Sequence, residues 1–307
     1  MAKTVGDFLS PSQTLESIAR LGILCHPNSA SARALAQKLA ALAEGMGVSA
    51  WVSSADKEEE VDAQLSEVGL LLAVGGDGTI LRAAQLVLSR SIPLLGINVG
   101  RLGFMAELKP QEALQQLPGL LRGEGWLEER AMLQAEVLSI VEAEAPPCEG
   151  TPFHALNDIY VGRGIPCRPV YIKVSVDGQL LSTYRADGII LATATGSTGY
   201  SLSAGGPVFH PQSREFLFNP VSPHLALGNS LVLPSSAVVE LETHADDGAV
   251  FCIDGQIVCS LLGGAIVKVQ QSPYVTRFLR RHPAAHFYGL LSQKLGVTPM
   301  LGNNSKD

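Results

Sequence analysis

The sequence predicts an α/β domain followed by a mostly antiparallel β domain, and three observations carry that expectation. As far as residue 125, short apolar runs alternate with alanine- and leucine-rich segments of helical period. After Arg130 the pattern changes to stretches rich in β-branched residues that end in Asp-Gly pairs. The chain is 307 residues long and 46% hydrophobic, room for two cores on the usual scale of ~150 residues per domain.

Each element follows in order. Leu21 to Cys25 reads as a short buried strand, Ser31 to Gly45 as a helix that Gly45 stops, Val48 to Ser53 as a strand and Lys57 to Ser66 as a helix. Val68 to Val74 is a second buried strand, Ile80 to Leu88 a helix and Ile92 to Ile97 a further strand. Strands alternating with helices imply a parallel sheet, because parallel neighbours need long crossover connections. Farther on, Val170 to Val176 before Asp177-Gly178, and Val250 to Ile253 before Asp254-Gly255, carry the signature of hairpins. Gly188 to Ala192 is an apolar run, and Gly196 to Leu202 after it is the one helix expected in this half. Ala284 to Leu295 has helical spacing at Phe287, Leu290, Leu291 and Leu295, and the tail from Gly302 to Asp307 reads as disordered.

Composition excludes several classes of function. A net charge of -7 is the wrong sign for a general nucleic-acid binder, which draws its affinity from basic groups that release phosphate counterions. Met1 to Ser10 has no basic region followed by an apolar core, and the longest apolar runs fall short of the ~20 residues that span a bilayer. No membrane partner is therefore expected. The cysteines at 25, 148, 167, 252 and 259 form no C-x-x-C pair, so neither a zinc site nor a disulfide framework is expected, and a cytoplasmic location fits. The seven histidines have no metal-ligand spacing.

The strongest local signal is Gly75-Gly76-Asp77-Gly78-Thr79, between a buried strand and a helix start. Ligands of open parallel sheets sit beyond the carboxyl ends of the strands, and glycines there let the backbone approach phosphates while free N–H groups face the negative charge. Asp77 would then accept a proton from an attacking hydroxyl or bind a magnesium ion. The plain alternative is a tight turn with Asp77 as helix N-cap. The loop matches neither G-x-x-x-x-G-K-[ST] nor G-x-G-x-x-G.

Four segments in order resemble the NAD kinase family: Gly75 to Thr79; Gly96-Ile97-Asn98-Val99-Gly100-Arg101-Leu102-Gly103-Phe104; Asn157-Asp158; and Thr195 to Gly206, reading TGSTGYSLSAGG. The resemblance extends from about Leu21 to Val269. It implies a Rossmann-like domain at residues 1–129 that carries the glycine loop. A β-sandwich-like domain at 130–275 would form much of the NAD pocket, and a C-terminal helix near 276–300 would pack back on the first domain. It implies Asp77 as the catalytic base, with Gly75, Gly76, Gly78 and Thr79 cradling the phosphates of ATP. Asn98, Phe104, Asn157, Asp158, Arg185, Asp187, Thr195, Ser197, Thr198, Gly199, Tyr200, Ser203 and Asp254 would bind NAD. Mg²⁺ or another divalent cation would be held mainly by the ATP phosphates, with Asp77 as a possible protein ligand. The family also implies a homodimer or homotetramer, with Asp187 reaching a dinucleotide in a neighbouring subunit.

Some alternatives stay open. Phe104 fits a core position as well as a base-stacking one, Asn157-Asp158 fits an Asx turn, and Arg185 fits an ordinary surface arginine. Where the family reads T-P-T-G-S-T-A-Y this chain has Ala194 and Gly199, which loosen the backbone of the pocket wall without removing a polar group. The glycine loop alone also suits a lipid or sugar kinase, and the whole pattern without chemistry suits an NAD-binding sensor.

Overall fold

The computed structural model describes residues 17–100, 103–138, 148–165, 168–224, 228–244 and 248–296. Arg101, Leu102, Cys167 and the two termini lie outside them. The first half runs β1 (Arg20–Cys25), α1 (Ala30–Glu44), β2 (Ser49–Ser54), α2 (Glu58–Asp62), β3 (Leu70–Gly75), α3 (Asp77–Leu86), β4 (Leu94–Asn98) and α4 (Pro110–Leu121). The second runs β5 (Trp126–Leu138), β6 (Phe153–Ala155), β7 (Asp158–Arg163), β8 (Val170–Val176), β9 (Gln179–Ala186), β10 (Gly188–Ala192), α5 (Tyr200–Ser203), β11 (Phe216–Val221) and β12 (Leu231–Leu233). It ends with β13 (Val239–Thr243), β14 (Ala249–Ile253), β15 (Gln256–Leu261), β16 (Ile266–Arg280) and α6 (His286–Lys294).

The strands form two sheets. β2, β1, β3 and β4 are parallel neighbours, and β16 continues the same sheet by pairing Phe278 with Leu94 of β4. β13, β8 and β9 extend it, while β5 pairs with β16 from Trp126↔Arg280 to Leu138↔Ile266. The second sheet has the order β12-β11-β10-β7-β14-β15 and is antiparallel. It packs face to face on the antiparallel part of the first, across a core that includes Val161, Tyr184, Ile189, Phe218, Phe251 and Val267. This is the expected sandwich, held by side chains that each contribute about 1.5–3 kcal/mol on burial.

Both hairpin signals hold. Asp177 and Gly178 have φ of 50° and 76°, and Asp254 and Gly255 have 50° and 78°, the left-handed pair that a two-residue turn requires. Other expectations need correction. Residues 276–280 belong to β16, and the C-terminal helix starts only at His286, because Val275 to Arg280 complete the ladder with β5. Gly196 to Leu202 is not one helix but a 3-10 turn, Gly196–Thr198, and a single α turn, α5, broken where Gly199 adopts φ -99° and ψ -129°. α4 was not anticipated. Pro110 opens it and Lys109 N–H donates to Glu112 Oε2 at 2.8 Å, but Pro118 interrupts its helical pattern.

The cysteines also depart from expectation: Cys148 and Cys259 form a disulfide across 111 residues of sequence. Spacing could not reveal it, since only the packing of the sandwich brings the two together. Among the described residues Cys25 and Cys252 are free and buried, and no helix is long and apolar enough to cross a membrane.

Candidate active site

β3 is buried at all six positions and delivers Gly75 to the sheet's carboxyl edge, where α3 begins. A Cβ on Gly75 would overlap the buried Thr79 hydroxyl, so the turn closes only on glycine. Gly76 is the N-cap, and the Asp77 carboxylate makes no capping bond. Instead its Oδ2 accepts the Phe104 N–H at 3.3 Å, while Oδ1 is buried and has no partner. The capping alternative for Asp77 thus fails. Gly103 lies so close that a Cβ there would overlap Asp77 Oδ1, which ties the glycine loop to the G-x-N-x-G-x-L-G-F segment. Gly78 is exposed beside it.

Asn98 ends β4 with its side chain buried, and its Oδ1 accepts the Gly100 N–H at 2.8 Å. Phe104 is half-buried, tilted against Phe287 of α6 at 6.4 Å, with the Lys294 ammonium 4.7 Å above its ring. It is neither a core residue nor a bare stacking platform.

Asn157-Asp158 is held from behind by Asp254. The Asp254 carboxylate accepts the N–H groups of Leu156 at 3.0 Å, Asn157 at 2.6 Å and Asp158 at 3.2 Å, and Gln85 Nε2 of α3 at 3.3 Å. Asp254 was expected on the dinucleotide; in the structure its oxygens organise the loop that carries Asn157 and Asp158. Burial raises the pKa of both acids. At Asp254 three N–H donors oppose that rise, whereas Asp158 is pushed up to about 7 by burial and by the neighbouring Asp254 charge. The three N–H bonds favour the ionised form of Asp254, while burial beside that charge favours the protonated form of Asp158.

The hydroxyl-rich segment packs directly on this loop, since a Cβ on Gly196 would overlap the Asn157 carbonyl. Its hydroxyls divide. Ser197 Oγ donates to Ala194 O at 2.6 Å and accepts the Phe209 N–H at 2.9 Å, fully buried. Thr198 Oγ1 donates to Thr195 O at 3.0 Å, and Thr195 Oγ1 accepts from Arg130 at 3.2 Å. Ser203 and Tyr200 stay exposed, with Tyr200 edge-on to Tyr160 at 5.8 Å. Gly199 stands beside Asn157 Nδ2 and Asp158 Oδ2; a Cβ there would lie 3.9 Å from each but only 3.3 Å from the Gly196 carbonyl, a tight contact. At the other rim Asp187 is ion-paired to Arg163 at 2.8 Å, and its carbonyl accepts the Tyr160 hydroxyl. Arg185 is exposed, and its carbonyl accepts the His224 N–H at 2.8 Å.

Both halves match known proteins. The ATP-NAD kinase N-terminal domain model fits residues 11–125 and the C-terminal domain model fits residues 156–281. The chain belongs to the NAD kinase family. A NAD kinase of Dehalococcoides mccartyi is 40% identical over 276 residues, 90% of this chain and 95% of that protein. Among solved structures, an NAD kinase from Archaeoglobus fulgidus in complex with ATP covers 91% of this chain at 25% identity and TM-score 0.70. Yeast NADH kinase complexed with NADH shares the fold over 98% of the chain at TM-score 0.80. Family membership makes the activity an ATP-dependent phosphorylation of NAD, and the lipid-kinase, sugar-kinase and sensor readings fall away.

Sequence reasoning missed several supports of the site. Thr193 Oγ1 donates to Leu156 O at 2.6 Å and accepts the Gly196 N–H, joining the Asn157-Asp158 loop to the hydroxyl-rich segment. Glu128, Arg130 and Arg280 are buried together. A charge run such as Glu128-Glu129-Arg130 ordinarily marks a solvated strand face, so its pattern hides this.

Proposed function

We propose that this NAD kinase transfers the γ-phosphate of ATP to the 2′-hydroxyl of the adenosine ribose of NAD, with Asp77 as the base. The observation that supports it is the buried, unpartnered Asp77 Oδ1 at the glycine-loop edge of the sheet. That oxygen takes the hydroxyl proton while the ribose oxygen attacks the γ-phosphorus; the bond to the β–γ bridging oxygen breaks and ADP leaves. Gly75, Gly76, Gly78 and Thr79 line the phosphate side. Asn157 and Asp158, with Tyr200 and Ser203 at the rim, offer donors and acceptors to the ribose and base of NAD. Positioning and charge neutralisation supply most of the rate in such transfers.

Among the described residues no group of three or more His, Cys, Asp or Glu could hold a metal ion. The donor set fits a Mg²⁺ carried in by the triphosphate, which the Asp77 carboxylate would help to hold. Bound there, Mg²⁺ or another divalent cation would neutralise the phosphate charge. The same reading takes the half-buried Asp187 rim as a contact with a neighbouring subunit in a homodimer or homotetramer, and the cytoplasm as the working compartment.

The test is NADP formation from NAD, ATP and Mg²⁺, followed with a coupled NADP-specific dehydrogenase. Activity that disappears in excess EDTA is expected. No NADP from folded protein, or full turnover in EDTA, would remove this reading.

A further inference from the structure

Beneath the site lies a buried cluster of four charged side chains. Arg130 Nη2 meets Glu128 Oε2 at 2.8 Å, Arg280 Nε meets the same oxygen at 2.7 Å, and Arg280 Nη1 meets Glu107 Oε2 at 3.2 Å. All four side chains are about 5% exposed or close to it, at 5% and 6% for Arg130 and Glu128 and 6% each for Arg280 and Glu107. Both guanidinium groups also rest on the Phe278 ring, at 5.6 and 4.8 Å. Desolvating so many charges is costly, and hydrophobic side chains of equal volume often hold a core as well.

The cluster is connected at both ends to the active site. Arg130 Nη1 donates to Thr195 Oγ1 at 3.2 Å, at the head of the hydroxyl-rich segment. Arg280 Nη1 donates to Met105 O at 2.8 Å, and the next residue back, Phe104, gives its N–H to Asp77 Oδ2. One unbroken chain of contacts thus runs from Thr195 through Arg130, Glu128 and Arg280 to the loop that holds Asp77. The sheet alone does not align these two loops, because Thr195 follows β10 in one sheet and Met105 follows β4 in the other.

We propose that Arg130 is a positioning residue, whose bond to Thr195 sets the dinucleotide-side turn against the Asp77 loop for phosphoryl transfer. This rests on Asp77 acting as the base. Arg suits the task because one planar fork serves Glu128 and Thr195 at once, whereas a lysine ammonium can satisfy the charge but not both directions.

The experiment uses the full chain and four variants, Thr195→Val, Thr195→Ser, Arg130→Lys and the double variant Thr195→Val/Arg130→Lys. Initial rates of NADP formation are measured against NAD and ATP, together with thermal melting. Misplacing reacting groups by ~1 Å can cost up to about 100-fold in rate, so Thr195→Val is expected to lower kcat by roughly 10-fold while the KM for ATP and the melting temperature hold. Thr195→Ser should restore kcat, and Arg130→Lys should reproduce the loss. The double variant should be no worse than the single ones, because all break one link. A wild-type kcat in Thr195→Val overturns the proposal, as does a loss that serine does not restore. Losses that multiply in the double variant also overturn it, since Thr195 then acts independently of Arg130. If Arg130→Lys does not fold, the two Thr195 variants decide. Asp77→Asn is run in parallel: near wild-type turnover there removes the base reading, while an inactive Asp77→Asn beside a normal Thr195→Val removes only the role of Arg130.

Discussion

Asp77 differs from a capping carboxylate in where its oxygens go: one is held by the Phe104 N–H and the other is buried without a partner. Asp77→Asn keeps the size of the side chain but cannot take a proton, so kcat should fall on the order of 10²–10⁴-fold, the usual range for general acid–base catalysis. Melting and NAD titration should be near wild type; a folded variant with normal kcat returns the loop to a structural turn. Asp158 gives a second residue-scale prediction. Its folded pKa of about 7 exceeds the ordinary 3.8, so between those values the native state holds a proton that the unfolded chain has lost. Stability from this group therefore falls as pH rises through that window and stays low above it. Asp158→Asn removes the titration, and its stability relative to wild type should grow from pH 5 to pH 8, by roughly 1–3 kcal/mol. A difference independent of pH in denaturant melts would contradict the raised pKa.

At the scale of elements, the site is built where segments press together. The β10 strand delivers Thr193 and Gly196 onto the Asn157-Asp158 loop, and the Asp254 turn between β14 and β15 holds that loop from the other side. Gly196→Ala would force its Cβ into the Asn157 carbonyl and push the two segments apart. The KM for NAD should rise by about one to two decades, the cost of losing a hydrogen bond to a desolvated ligand group, with a smaller change for ATP. Equal changes for both substrates would place the dinucleotide pocket elsewhere. The hairpin at Asp254-Gly255 was legible because only a few residue pairs accept its two positive φ angles. What Asp254 does there was not, because its partners lie about a hundred residues back in the chain.

For the whole molecule, β5 and β16 run through both halves, and the expected division at 129/130 falls inside β5. The Cys148–Cys259 disulfide closes a loop of 111 residues, for which chain entropy gives up to about 4.7 kcal/mol and observed effects are typically ~2–4 kcal/mol. Cys148→Ala should lower the unfolding free energy from urea melts by that much, and dithiothreitol should destabilise wild type but not the variant. A wild-type midpoint insensitive to dithiothreitol would show that the crosslink does not form in solution.

The amino-acid sequence by itself determined the alternation of strand and helix up to β4, both Asp-Gly hairpins and the segments that carry the family. Each of these is written in neighbouring residues: a hydrophobic period, a turn that needs left-handed backbone, or glycines where the backbone comes close to Asp77 or Thr79. Tertiary structure alone decided which candidate side chains already spend their polar atoms within the protein. Ser197 and Thr198 turn their hydroxyls inward, Asp254 spends its oxygens on backbone N–H groups, and Tyr200 remains exposed. It also decided the burial of Glu128, Arg130 and Arg280 and the pairing of Cys148 with Cys259. These depend on contacts between residues far apart in the chain, and no local pattern encodes which distant partner a charge or a thiol will meet.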